Sequence, residues 1–436
     1  MQRKIDRKLY KRIFVVAFPI MLNYVGQDAI SAVSLASQYG NVIFMFLYGI
    51  GTGVSMLSAQ YWGKKDTRTI EKVEGIGLRF SMSIACIFAM LCLIVPEGLM
   101  HVFTEDKELI RLGSIYLRIC APAMVLWSIS AVYTAVLRCI GRVTTSTIIE
   151  MISLLSNVFL NFIFIFGYFG IPKMGIAGVA LATVMSRGIQ LVCCMIVSAG
   201  NQDVKLCIKP IFEKHPALFK DFIVMALPAI ANDVIWALGF SMYSVILGHL
   251  GNDAVAANSI VSVVRNLGSV LCFGIGSASG IIVGQILGEN KIEEAKRVSR
   301  SLLRMAVAAG VTGGVFVFLL SPVVMHYVSL SETAMDYLQF MLYINTYYIT
   351  GSAVNTVLIA GIFRAGGDSR FGFLCDTIDM WCYAVPLGLL AAFVWKLPVK
   401  IVYVLLCTDE FVKWPWVFKH FYSYKWAKNI TRENID

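Results

Sequence analysis

The sequence predicts an all-α, polytopic membrane protein of two six-helix bundles related by a parallel pseudo-two-fold repeat. Three observations predict it. Apolar residues come in runs long enough to span a bilayer. Basic residues cluster in every second break between those runs. The second half of the chain repeats the first.

The chain has 436 residues, of which 58% are hydrophobic and 15% charged, and its mean hydropathy is +0.73. A soluble domain is nearer half apolar and a quarter charged. The excess is concentrated in stretches such as 148–169, 175–198, 306–322 and 384–394. Such runs approach the ~20 residues that cross ~30 Å of hydrocarbon. Lipid offers the backbone no hydrogen-bond partners, so spanning segments that lack a strand-like alternation must be helices.

The formal charge is +10, but its placement excludes a nucleic-acid surface. Lys and Arg gather at 3–12, 64–72, 138–142, 205–220, 291–304, 364–370 and 413–432, whereas the intervening breaks 248–253 and 321–335 have none. This is the positive-inside pattern, with both termini cytoplasmic and the cell membrane as the location. Lys107, Arg111, Arg118, Lys173, Lys396 and Lys400 are the minority on the outer side. The eleven cysteines are scattered through apolar segments without a CxxC pair, and read as small apolar fillers. The basic stretch 1–12 followed by apolar 13–25 mimics a secretory leader. It lacks a convincing small-residue cleavage site and reads as a first membrane helix.

The repeat organises the chain. Residues 28–63 align without gaps on 253–288 with eleven identities in thirty-six positions. They include Asn41/Asn266, the glycines of two GIG triplets, Gln60/Gln285 and Gly63/Gly288. One residue further out of register, Arg138 falls on Arg364, Gly141 on Gly367 and Glu150 on Asp376. Two lobes follow, 1–199 and 222–436, joined by a polar linker at 200–221. Helices are expected near 13–25, 29–61, 73–95, 113–137, 143–167 and 175–198, then near 222–247, 254–286, 298–326, 334–362, 371–394 and 399–421. An even number per lobe orients both alike, and substrate is expected between them near the midplane.

One place breaks the repeat. Pro228 precedes Asp253 by twenty-five positions, whereas Pro19 precedes Asp28 by nine. The sixteen missing residues amount to ~24 Å of helix, so the first helix is expected to be truncated.

With the repeat in place, the chain resembles the multidrug and toxic-compound extrusion (MATE) family of cation-coupled antiporters. The likeness is carried by FPIMLNY (18–24) and LPAIAND (227–233), which open the halves, and by GIGTGVSMLSAQYWGKKD (49–66). It continues through SNVFLNFIFIFG (156–167), GIAGVALATVMSRG (175–188) and GIFRAGGDSRFGF (361–373). It covers essentially the whole chain apart from the missing first-helix segment. It implies export of amphipathic, often cationic, organic compounds, driven by inward Na⁺ or H⁺ through rocking-bundle alternating access. No other cofactor, no nucleic acid and a monomer in the bilayer are the matching expectations.

Ionisable groups inside spans cost at least ~2.5–3.5 kcal/mol and are functional candidates. Asp233 lies in the seventh helix with Asn232 as polar partner and Trp236 as aromatic wall. It suits Na⁺, a proton or a cationic substrate, or is a wetted structural acid, and Asp233→Asn is expected to abolish coupled efflux. Glu150 and Asp376 occupy equivalent positions, with Asp379 one turn beyond Asp376 on the same face. Either they relay protons, or Asp376 pairs with Arg265, the basic residue deep in the eighth helix. Arg138 and Arg142 near Glu150 favour a structural role there. By the resemblance, a first-lobe cation site takes a first-helix acid, an Asn-x-x-x-Asp pair and a Thr. Asn157 and Thr183 match, but Asn161 replaces the Asp and the first-helix acid has no counterpart. Interhelical hydrogen bonding is the plainer role for the two asparagines. Coupling is therefore expected at Asp233 and around Asp376. Met21, Tyr24, Trp236, Met242 and Tyr243 are candidate cavity walls, and the mid-helix glycines of 49–53 and 274–276 suit close packing or a hinge.

An enzyme is not expected. His101, His215, His249, His326 and His420 all sit at segment ends or in loops, without metal or triad spacing. A lipid-linked-precursor flippase of the same superfamily and an inactive shortened transporter are the alternatives.

Overall fold

The computed structural model describes residues 27–206, 209–213, 215–328 and 330–433. Every regular element among the described residues is helical. Among the described residues ten helices are long and apolar enough to cross a membrane. They are α1 (Gln27–Gly63), α2 (Thr67–Ile94), α3 (Lys107–Cys139), α4 (Val143–Phe166), α5 (Gly175–Gly200), α6 (Pro216–His249), α7 (Asn252–Gly288), α8 (Ile292–Tyr327), α9 (Glu332–Phe363) and α10 (Ser369–Val394). The expected helix at 13–25, its truncation, and Met21 and Tyr24 lie outside the described residues. Elsewhere each expected span but the last is present as a helix of membrane-spanning length. Several start earlier than the apolar run because polar residues build the first turn. Asp106 caps α3 by accepting from the Glu108 and Leu109 amides at 2.8 and 3.2 Å.

The last span departs most from expectation. In place of one helix at 399–421 there are three pieces, Val399–Leu406, Asp409–Val412 and Trp414–Ser423, here taken together as α11. Pro415 has no N–H for the Phe411 carbonyl, so the ladder breaks at Lys413. The neighbouring helices are also irregular. Thr356–Phe363 of α9, and Ile378–Ala384 and Leu390–Val394 of α10, are wound as wide i→i+5 turns. Such turns concentrate at functional sites.

The chain divides into two compact units. One comprises Met1–Gly51 and Glu74–Glu213, the other Thr52–Val73 and Lys214–Asp436. In the first unit α1, α2 and α3 share a core of Ala36, Ile43, Leu47, Ala85, Leu117 and Ala121. The Arg79 guanidinium donates to the carbonyls of Ile211 and Glu213. In the second unit Val261, Leu338, Leu342, Ile349 and Val402 knit α7, α9 and α11.

The second unit takes in the ends of α1 and α2 through a close crossing that the repeat foretells. A Cβ on Gly63 would collide with the Gln285 carbonyl oxygen, and a Cβ on Gly288 with that of Gln60. Each glycine thus admits the repeat-equivalent backbone of the other helix. The fully buried Gln60 amide then ties three strands of chain together. It donates to the Ala365 carbonyl at 2.7 Å and the Lys428 carbonyl at 3.1 Å, and accepts from the Ile430 amide at 2.8 Å. Arg432 pairs with Asp221 at 2.5 Å beside it.

Gly288→Ala is expected to destabilise the protein by about 1–3 kcal/mol, the usual cost of overpacking. Gly274→Ala, where a Cβ meets nothing within 4 Å, is expected to leave stability unchanged. Thermal unfolding of the two purified variants in detergent checks this, and equal midpoints would refute the role given to the crossing.

Candidate functional site

A chain of buried polar contacts runs through the second unit. Pro228 precedes Asn232 and Asp233 on α6. At the end of α9, Arg364 places one nitrogen 2.7 Å from both the Asp233 carboxylate and the Asn232 amide oxygen. The Asn232 amide donates to Asp376 on α10 at 2.7 Å. The other Asp376 oxygen lies 3.1 Å from the Lys413 ammonium, at the break in α11. Lys413 also faces Glu410 at 3.1 Å and Asp379 at 3.6 Å. Asn355 donates to Glu410 at 2.6 Å. Lys413, Asp376, Asp379 and Glu410 are all buried.

The charges do not balance. One ammonium faces three carboxylates. Asp409 stands next to them, accepting from the Tyr243 hydroxyl at 3.0 Å and the Glu410 amide at 2.8 Å. One oxygen of Asp379 has no hydrogen-bond partner among the described residues. Taking an ion out of water costs several kcal/mol even after relaxation. A group in such surroundings therefore invites a proton or a cation. The wide turn of α10 places Asp379 in this cluster, and the break in α11 brings Glu410 and Lys413 into it.

Beside the cluster lies a cavity of about 330 Å³, lined by α6, α7, α9 and α11. Trp236 and Phe240 form an edge-to-face pair on its wall, with ring centroids 4.5 Å apart. Arg265 from α7 lies with its guanidinium 4.9 Å from the Phe240 ring centre and 5.8 Å from that of Tyr348. Tyr243 both lines the cavity and donates to Asp409, so the cavity wall and the carboxylates are in direct contact.

The first unit holds a polar seam without carboxylates between α4 and α5 among the described residues. Asn157 donates to the Ser186 hydroxyl at 3.3 Å, and Asn161 to the Asn157 carbonyl oxygen at 3.1 Å. Thr183 donates back to the Val179 carbonyl at 3.0 Å. Ser153 reaches Gln190, which also accepts from Arg187 at 2.8 Å. Glu150 is half exposed and pairs with Arg138 at 2.9 Å.

The sequence-predicted residues are thus brought together only in part. Asn232, Asp233, Asp376 and Asp379 join one network. Trp236 and Arg265 line the adjoining cavity. Asn157, Asn161 and Thr183 share the seam in the other unit, and Glu150 stands apart with Arg138. The expected pairing of Asp376 with Arg265 is not formed. Lys413 takes that place because the break in α11 turns its side chain inward, while Arg265 lies on aromatic faces. Arg364, Asp409, Glu410 and Lys413 were missed. Lys413 opens the basic run 413–432 and reads as a surface residue. The adjacent Asp409 and Glu410, inside an expected span, were the available signal.

Arg364 is expected to be structural towards Asp233. Removing the Asp233 carboxylate alone takes the counter-charge from the buried Arg364 guanidinium, at up to about 3–5 kcal/mol, and removing Arg364 alone costs the half-buried Asp233 less. Asp233→Asn combined with Arg364→Gln is expected to recover much of the loss. A double-mutant cycle on thermal unfolding checks this, and strictly additive losses would show that the pair is not coupled.

The MatE family model matches residues 13–163 and 228–390, one stretch in each half of the chain. The uncharacterized transporter YisQ of Bacillus subtilis is 21% identical over 94% of this chain and 90% of its own length. YoeA of the same organism, a probable multidrug resistance protein, is 26% identical over 87% and 83%. NorM of Thermotoga maritima, another probable multidrug resistance protein, is 23% identical over 97% and 91%. Among solved structures, an outward-facing multidrug resistance MATE family transporter of the MOP superfamily superposes with a TM-score of 0.82 at 18% identity, covering 95% of this chain and 93% of that one. A MOP superfamily transporter from Pyrococcus furiosus, described as having a binding pocket of reverse polarity, gives 0.83 at 17% identity with the same coverage.

Proposed function

Because the chain belongs to the MatE family, we propose that it is a secondary active antiporter of the cell membrane. It exports amphipathic organic compounds in exchange for an inward cation, by alternating access and without chemistry on its cargo. Both termini are cytoplasmic, as the basic clusters imply, and the monomer is the working unit.

The observation that carries the reading is the cluster in which Lys413 faces Asp376, Asp379 and Glu410. A surplus of buried carboxylates next to a ligand-sized cavity is what ion-coupled transport needs. Binding the ion removes charge, and the cavity wall feels the change through Tyr243 and Asp409. The names of the relatives YoeA and NorM support multidrug compounds as cargo. The coupling ion we assign is H⁺. The Lys413 ammonium already occupies the centre of the carboxylates, where Na⁺ would have to sit against a like charge. A proton settles on an oxygen without that repulsion, and Asp379 offers an oxygen with no donor among the described residues.

Proteoliposomes of the full chain, with pH and Na⁺ gradients imposed separately, test the proposal on ethidium and on aromatic carboxylates. A pH gradient alone is expected to drive transport of at least one of them, and Asp379→Asn to abolish the drive without loss of folded protein. Transport driven by Na⁺ alone would remove the proton, wild-type rates in Asp379→Asn would remove that carboxylate, and no gradient-driven flux of any compound would remove the antiporter.

A further inference from the structure

The family resemblance implies cationic cargo, but the cavity in the second unit is itself positively charged. Among the described residues its lining contains one charged side chain, Arg265. Among the described residues the guanidinium has no ion pair and no hydrogen-bond acceptor. Its described contacts are the faces of Phe240 and Tyr348. Ring faces satisfy the charge of a guanidinium but leave in-plane N–H donors available.

The rest of the α7 face is polar as well. Asn258, Ser262, Arg265, Asn266 and Ser269 all line the cavity. At 3.6 residues per turn they fall within an arc of about 100°. The opposite face, Val263, Leu267, Val270 and Leu271, is exposed and wholly apolar. Ser262 uses its hydroxyl proton on the Asn258 carbonyl at 2.8 Å. The side-chain amides of Asn258 and Asn266 and the hydroxyl of Ser269 are not used in this way. Across the cavity stand Trp236 and Phe240.

We infer that this cavity binds the oxyanion of an aromatic amphipath, a carboxylate or a group of like charge and geometry, with Arg265 as its anchor. The inference rests on the antiporter reading and deepens it by naming the charge of the cargo's recognised end. A planar guanidinium that keeps its donors free is suited to a bidentate oxyanion, and a point cation is not. The amide and hydroxyl groups beside it supply further donors. The aromatic wall takes the cargo's ring, and the modest volume suits a compact ring system. Asp409, which meets the cavity wall through Tyr243, does not line the cavity and is engaged by the Tyr243 hydroxyl and the Glu410 amide. The repeat sharpens the point. Arg265 falls on Gly40 in the first half, so the charge is not shared by the two copies of the repeat.

The test is equilibrium binding of two matched probes, 2-naphthoate and 2-naphthylmethylamine, to the purified full chain in lipid nanodiscs, followed by calorimetry. The wild-type protein is expected to prefer the carboxylate by about tenfold or more, as a charge-assisted hydrogen bond at a shielded site implies. Arg265→Gln is expected to bring the two probes to parity, and Arg265→Lys to keep part of the preference. Equal or tighter binding of the amine by the wild-type protein overturns the inference and needs no variant to do so. A carboxylate preference that survives in Arg265→Gln overturns the assignment to that residue. Gradient-driven flux of ethidium or of an aromatic carboxylate, measured separately, decides the antiporter reading. Flux with no carboxylate preference leaves that reading standing and removes this one.

Discussion

The second unit is organised around a single ammonium that must satisfy several carboxylates where water is scarce. Lys413 is one of the few buried lysines a membrane bundle tolerates, and it is tolerated because Asp376, Asp379 and Glu410 surround it. The surrounding backbone is irregular at the positions that serve it. α11 breaks on either side of Asp409–Val412, α10 carries Asp379 in a wide turn, and α9 widens at Thr356, directly after Asn355. Regular helices present side chains at fixed intervals of 100°. Converging three carboxylates from α10 and α11 on one nitrogen requires departures from that interval, and the bundle has them there.

The same elements carry the cavity, which links the two chemistries. α11 contributes Tyr403, Leu406 and Cys407 to the cavity wall and Asp409, Glu410 and Lys413 to the cluster, one turn apart. Tyr243 touches both. A change in the charge of the cluster changes the field at the Tyr243 hydroxyl and at the α11 break, and both belong to the cavity wall. Neutral apolar cores offer no such lever, since their packing responds to volume and not to charge.

Much of this was legible in the sequence, and the limits have physical causes. Hydropathy located the spans because lipid requires long apolar helices, and the repeat located Gly63 and Gly288 before their crossing was visible. Asn232, Asp233, Asp376 and Asp379 stood out because acids are costly in such helices. Lys413 did not, because a lysine at the start of a basic run looks the same whether it faces water or folds inward. Pro415, two residues on, held the information that the helix breaks there, but a proline near a span end is common. The pairing of Asp376 depended on that break and so went to Arg265 in the reading. The polar arc of α7 was equally present in the letters. It is visible only when residues 258–269 are plotted at the helical angle, and attention to single charges passes over it.

The departures from the repeat are what separate function from architecture. Glycine and glutamine matches such as Gly63/Gly288 and Gln60/Gln285 keep the helices at backbone distance, and they persist in both halves. Arg138 and Glu150 meet directly at a half-exposed position, where an ion pair contributes little. Their equivalents Arg364 and Asp376 are both buried and are held apart by Asn232, which binds each of them. Separating the two leaves Asp376 free to pair with Lys413 and Arg364 free to pair with Asp233. Burial makes each of these pairings far more consequential than the exposed original. The second half thus holds the equivalent arginine and acid inside a buried charge network, and carries Arg265 where the first half has Gly40. Selection on packing alone would give no reason to bury that many ionisable groups in one half of a duplicated protein.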